Sequence, residues 1–203
     1  MKLLVATRSE GKKREVRRLV ADTGIEVTFP DEAGVRETPE EELLETGDSF
    51  ESNARHKAEY FARKTGLPTV ADDSGLEVLS LGGAPGVRSR RFAGATGDPA
   101  VVDAANNAEL LRRLAGAPAS RRRARYRCVL VYLSRPGAIP QVFDGTCNGA
   151  ILEQPRGEGG FGYDPLFLSD DLGRSFGEAD PADKDRVSHR GRAWAALVKG
   201  IGE

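Results

Sequence analysis

Lys2-Leu3-Leu4-Val5-Ala6 is a short apolar run, Thr7-Arg8-Ser9-Glu10-Gly11-Lys12 follows it as a polar turn, and Val16, Leu19 and Val20 then recur at helical spacing. The switch from an apolar run to a 3.6-residue period places the turn at a strand-to-helix junction. Such a junction opens an α/β chain, and the rest of the sequence keeps mixing the two periods. Residues 25–29 read as a second strand stopped by Pro30, and residues 31–47 are acidic and irregular. Asp48 followed by Glu51 has the form of a capping box. Phe50, Ala54, Ala58, Phe61 and Ala62 then make one apolar helix face running to about Lys64.

Residues 69–72 read as a strand that runs into Asp73-Ser74-Gly75, with residues 76–79 as a possible further strand. Asp98-Pro99 is a helix start with a cap and a first-turn proline, and Val102, Ala105, Leu110, Leu111 and Leu114 carry that helix on. Residues 126–133 are strongly β-prone, and residues 141–152 form their partner around Gly145. A glycine-rich loop at 157–162 leads to a short strand at 166–168, and a last helix starts near Ser188. The class is α/β, in one domain over residues 1–203.

The 203 residues suffice for a real core, and 39% hydrophobic with 30% charged side chains is ordinary for a soluble protein. The formal charge of −1 lacks the basic excess of a nucleic-acid binder. Residues 121–127 are basic but read as a solvated strand entry. No apolar run reaches membrane-spanning length, and the start is too short for a signal segment, so a cytoplasmic location is expected. Cys128 and Cys147 could pair as a disulfide, but without an export signal they read as reduced, strand-borne thiols, and without CxxC spacing they are not expected to make a zinc site.

Four stretches could carry chemistry. At residues 7–12, amides at a helix start, hydroxyls, a glycine and a lysine make an anion cradle, or simply a capped helix with solvated charges. Asp72-Asp73 before Ser74-Gly75 puts like charges side by side at an apolar strand, which asks for a cation; magnesium prefers carboxylates, waters and phosphates. Glu45, or a neighbour among Glu40, Glu41 and Glu42, could complete that set. In Gly159-Gly160-Phe161-Gly162-Tyr163-Asp164-Pro165, Phe161 or Tyr163 offers a face for a base, or the aromatics tuck into the core. Lys184 with Ser188-His189-Arg190-Gly191 is a donor cluster suited to phosphate or a carbonyl, though Ser188 could be a cap and Arg190 solvated. His56 reads as exposed.

In this order the motifs resemble the family of non-canonical purine nucleoside triphosphate pyrophosphatases, the XTP/dITP diphosphatases related to inosine triphosphate pyrophosphatase. The likeness runs from residues 49–54 with Lys57-Ala58, through 71–76 and 81–87 with Ser89 and Arg91, to 159–165 and 188–191. It implies two lobes around a long curved mixed sheet, a nucleotide cleft between them, and a homodimer. It also implies hydrolysis of dITP, ITP or XTP to monophosphate and pyrophosphate with Mg2+. Carried over, Thr7, Arg8, Ser9, Glu10, Gly11 and Lys12 would hold the triphosphate, and Glu45 and Asp73 would serve the metal. Asp73 would be the general base, and Ser74 would touch the substrate. Phe161, Gly162, Tyr163, Asp164, Lys184, His189 and Arg190 would complete the nucleotide site. Ser9 departs from the family's T-x-N-x-x-K pattern, because a hydroxyl replaces an amide there. A Maf-like pyrophosphatase is the alternative enzyme, but the turn lacks the S-x-S-P-R-R form. A nucleotide sensor without turnover is the non-enzymatic alternative, and the paired acids argue against it.

Overall fold

In the computed structural model, which describes residues 1–202, the opening stretch forms β1 (Lys2–Val5) and α1 (Glu10–Leu19). Next come β2 (Glu26–Thr28), α2 (Phe50–Thr65), β3 (Thr69–Val78) and α3 (Pro99–Arg113). Then follow β4 (Arg123–Leu133), β5 (Gln141–Ile151), β6 (Phe167–Ser169), α4 (Pro181–Val187) and α5 (His189–Ile201). The strands form one six-stranded sheet in the order β2-β1-β3-β4-β5-β6. β1 pairs in parallel with β2 and with β3, while β5 and β6 are antiparallel, so the sheet is mixed and the class is α/β as read. Parallel neighbours need crossover connections, and α1 supplies the one between β1 and β2.

The chain divides into two compact units. Unit 1 comprises Met1–Asp73, Cys128–Gly145 and the chain from Gly191 onward. Its strands alternate side chains between two apolar clusters: Val5, Val70, Leu130 and Trp194 in one, Leu4, Ala58, Phe61 and Val131 in the other. Unit 2 comprises Ser74–Arg127 and Thr146–Arg190, and its core gathers Leu76, Leu110, Tyr126, Ile151, Phe167 and Phe176.

Several local expectations are corrected. Residues 76–79 are not a separate strand after a turn. β3 runs unbroken through Asp72, Asp73, Ser74 and Gly75, so the paired acids stand in mid-strand rather than at a strand end. β1 pairs with the start of β3, at Thr69 and Val70, and β4 is the other neighbour of the strand, so sheet pairing overrides the local turn preference of Asp-Ser-Gly. The cap of α2 is Ser49, whose hydroxyl accepts from Ser52 N at 3.1 Å, and not Asp48; Glu51 pairs with Arg55 instead. The acidic segment contains a 3-10 turn at Pro39–Glu45, and α4 precedes the last helix. Arg122 is not a solvated strand residue. It is buried, and its guanidinium donates to the carbonyls of Leu114, Ile151 and Leu152. Cys128 and Cys147 are buried free thiols, and His56 is exposed. No helix among the described residues is long and apolar enough to cross a membrane.

Gly149 on β5 faces Ser169 on β6, and a Cβ there would collide with the Leu168 carbonyl and the Phe167 ring. Gly149→Ala should therefore lower the unfolding free energy by about 1–3 kcal/mol in urea melts, the range of core overpacking.

Candidate functional site

Unit 1 gathers a set of buried and half-buried charges. α1 starts at a Ser9 cap, so Lys12 stands in its first turn, and its Nζ lies 3.0 Å from Asp72 Oδ1 on β3. On α2, Asn53 and Lys57 are four residues apart and share a face with Ala54, Ala58 and Phe61. The small alanines let α2 approach the strand closely, and both polar side chains are buried. Lys57 Nζ donates to Glu45 Oε1, on the 3-10 turn, and to the Asp72 carbonyl. Asn53 Nδ2 donates to Asp73 Oδ2 at 2.8 Å, while its Oδ1 accepts from Gly47 N at 2.8 Å. The asparagine thus ties the end of the acidic segment to β3.

The signs of the charges decide the protonation states. Burial alone would pull the Lys57 ammonium down, but Glu45, then Asp73 and Asp72, outweigh it and hold the proton above its ordinary value. The Lys57 charge lowers Glu45 against burial. Asp73 goes the other way. Burial pushes its carboxyl up, Lys57 opposes, and Glu45 repulsion adds to the rise. Three carboxylates, Glu45, Asp72 and Asp73, thus act on the ammonium groups of Lys57 and Lys12. A hard divalent cation suits that set, with Glu45 and Asp73 as its oxygen donors. No group of three or more His, Cys, Asp or Glu side chains able to hold a metal is gathered among the described residues.

The other residues of the first turn are placed less simply. Arg8, read as a phosphate ligand, spans Glu41 with Nε and Nη2 at 2.6 and 2.8 Å and also donates to Asp31 and the Val35 carbonyl. Ser9 Oγ accepts from Lys12 N at 3.5 Å, and Thr7 Oγ1 accepts from Ser9 N at 3.2 Å. Glu10 is exposed and pairs with Lys13. Gly11 follows it in the same turn. The capped-helix reading thus holds for Ser9, and Lys12 is the residue of the turn that the fold brings to the acids.

Unit 2 holds the late motifs. Asp164 is buried, and its Oδ2 accepts from Lys184 Nζ at 2.5 Å and from Phe161 N at 2.8 Å. Gly160, at φ +77°, lies so close to that carboxylate that a Cβ would strike it. Phe161 is half-buried, with Lys184 Nζ 5.1 Å and the Arg190 guanidinium 5.8 Å from its ring centroid. Tyr163 does not offer its face. It is 4% exposed, packed in the core with its hydroxyl donating to the Ser89 carbonyl. Arg190 is buried rather than solvated, and its Nη2 donates to Ser74 Oγ at 2.8 Å. His189 stacks on Tyr126 at 4.5 Å. Gly162 is held by two residues of α3, Asp103 and Asn107.

Sequence reasoning assigned no role to Lys57, Asn53, Asp103 or Asn107. For the first two the signal was present: a lysine and an asparagine four apart on a face of alanines. Asp103 and Asn107 share that i, i+4 spacing, but a polar side chain on a helix of mixed composition reads as solvated, so nothing local marked them.

The profile of the Ham1 family matches residues 3–200. A dITP/XTP pyrophosphatase of Methylococcus capsulatus is 47% identical over 198 residues, covering 97% of this chain and 94% of that protein. The structure of a HAM1 protein from Coxiella burnetii superposes with a TM-score of 0.85 at 35% identity, covering 100% of this chain and 98% of that one. The crystal structure of a nucleoside-triphosphatase, dITP/XTP pyrophosphatase, from Mycobacterium abscessus gives 0.73 at 43% identity, covering 97% and 98%.

The raised Asp73 carboxyl has a stability consequence. A carboxyl held above its unfolded value favours the fold where it is protonated; that contribution is full below about pH 4 and is lost as pH rises through the folded value. Asp73→Asn removes the ionised form and keeps an oxygen to accept from Asn53. In chelator it should raise Tm at pH 8, and the gain should shrink toward pH 4 in circular-dichroism melts.

Proposed function

The chain belongs to the Ham1 family, and on that premise we propose that it hydrolyses non-canonical purine nucleoside triphosphates, dITP, ITP and XTP, to the monophosphate and pyrophosphate. Such an enzyme would clear the cytoplasmic nucleotide pool of deaminated purines. The observation that carries the reading is Lys12 at 3.0 Å from Asp72, with Asp73, Lys57 and Glu45 in the same charge set. A lysine beside carboxylates is a combination that cleavage at an α-phosphorus can use, the one for phosphate charge and the other for a divalent cation.

Phosphoryl transfer leaves little covalent work to the protein, so positioning and charge neutralisation dominate. Glu45 and Asp73 would hold Mg2+, which when bound neutralises phosphate oxygens and acidifies water. Asp73, with its proton affinity raised by burial and by Glu45, is suited to take the proton of the attacking water. Lys12 would neutralise charge growing on the departing pyrophosphate, with the amides of the 7–12 turn beside it. Lys57 keeps the acids in place without leaving them uncompensated. Arg8 serves the acidic segment, through Glu41 and Asp31, rather than the phosphates.

In unit 2, Phe161 would stack the base, with Asp164 and Lys184 fixing its loop. Arg190 has only donors, so it favours the C6 oxygen of hypoxanthine or xanthine over the amino group of adenine. Ser74, holding Arg190, and His189, stacked on Tyr126, would complete the group. The Ham1 match over residues 3–200 sets aside the Maf-like alternative. The family resemblance also supports a homodimer, which sedimentation equilibrium would read.

Product analysis on a panel of triphosphates tests the activity: dITP and XTP should give monophosphate and pyrophosphate with Mg2+, and ATP much less. No pyrophosphate release would leave a binding protein instead. Asp73→Asn should lower kcat by about 10²–10⁴, the contribution of a general base, while the protein stays folded. Near-normal turnover would remove Asp73 from that role. Arg190→Ala should reduce the preference for dITP over ATP, and an unchanged ratio would mean that Arg190 does not read the base.

A further inference from the structure

Phe161 stands between Gly160 at φ +77° and Gly162 at φ +64°. Glycines in this region lend the loop conformational freedom that a stacking platform must lose. On its N-terminal side, the Asp164 carboxylate holds the amide of Phe161. On its C-terminal side, Gly162 is gripped at both polar backbone groups. Its N–H donates to Asp103 Oδ2 at 2.8 Å, and its carbonyl accepts from Asn107 Nδ2 at 2.9 Å. The two side chains sit four residues apart on α3, so a single helix face presents an acceptor and a donor to one residue. The buried Asn107 Oδ1 has no hydrogen-bond partner, so the Gly162 carbonyl is what orients the amide. The helix behind them is well anchored. Asp98 caps it, Val102 and Leu110 are buried, and Asn106 holds Ala93 N and the Arg90 carbonyl. Arg90 Nη1 lies 3.1 Å from Asp103 Oδ1, leaving the other carboxylate oxygen for Gly162.

We propose that Asp103 and Asn107 are positioning residues for base recognition, clamping Gly162 from α3 so that Phe161 is held ready for the purine. The inference rests on the reading of Phe161 as the base platform. Neither residue touches the reacting atoms, so their loss should weaken binding of the nucleoside end and spare the chemical step. Removing one hydrogen bond of this kind should raise KM for dITP about five-fold, with kcat nearly unchanged. Inorganic pyrophosphate, which has no base, should inhibit the variants and the parent chain to the same extent.

The test measures KM and kcat for dITP and inhibition by inorganic pyrophosphate in Asn107→Ala, Asp103→Ala, Asp103→Asn and Phe161→Ala. The inference expects a raised KM in both alanine variants. Asp103→Asn should lie nearer the parent value, because its amide oxygen still accepts from Gly162 although the pairing with Arg90 is lost. An unchanged KM in Asn107→Ala overturns the clamp, and so does a parallel loss of pyrophosphate inhibition, which would mark general damage. If Phe161→Ala alone raises KM, the base platform stands and the clamp falls. If Phe161→Ala has no effect, the platform reading itself fails. Amide exchange in the unsubstituted protein gives a check that needs no variant: the Gly162 N–H should be protected, and exchange at the rate of an open loop would overturn the clamp.

Discussion

The buried ammonium of Lys57 is the constraint on which unit 1 depends. At 7% exposure it is held by Glu45, the Asp72 carbonyl and the field of both β3 carboxylates. Two adjacent acids inside a buried strand would otherwise be prohibitive, since burial and mutual repulsion both oppose their ionisation. Helix α2 has to bring the lysine to them, and it can do so because Ala54, Ala58 and Ala62 on its inner face keep it close. Asn53, one turn earlier, holds Asp73 and Gly47 together, so helix, strand and acidic segment are joined by one pair of side chains. Within this set Asp73 keeps a raised affinity for a proton, because burial and Glu45 outweigh the pull of Lys57.

Unit 2 solves a different problem, which is to make a glycine-rich loop rigid without bulk. The Asp164 carboxylate sits against Gly160 so tightly that no side chain fits there, and it accepts from both the Phe161 amide and Lys184. The same ion pair brings a cation to the face of Phe161, and Arg190 brings a second. Tyr163 is drawn into the core by its hydroxyl bond to Ser89. One aromatic of the motif is therefore structural and the other remains available. Both kinds of residue were plausible for stacking on composition, because Phe and Tyr carry similar faces; the buried carbonyl of Ser89 decides between them.

Much of the fold was legible in sequence because it depends on local periodicity. The apolar run at residues 2–6 before a helical period, the alanine face of α2, the Asp98-Pro99 start of α3 and the β-prone run ending at Leu133 all read correctly. Local reasoning failed where a tertiary neighbour overrode a local preference. Asp-Ser-Gly is a turn signal, yet within β3, beside β4 in the sheet, it becomes mid-strand. Asp48 and Ser49 are both good caps, and in the fold it is Ser49 whose hydroxyl accepts from Ser52 N. Arg122 looked solvated in a basic run until three carbonyls proved to surround it.

For the site, the sequence by itself determined which kinds of group are present: a lysine in a helix-start turn, paired acids, a glycine-flanked phenylalanine and a late arginine. Side-chain chemistry and motif order are properties of the chain and need no third dimension. Only the tertiary structure decided that Lys12 meets Asp72, that Arg8 turns to Glu41 instead of staying free, and that Asp103 and Asn107 grip Gly162. These contacts join residues tens of positions apart. Strand order and helix packing, rather than local preference, decide which partners come within hydrogen-bonding reach.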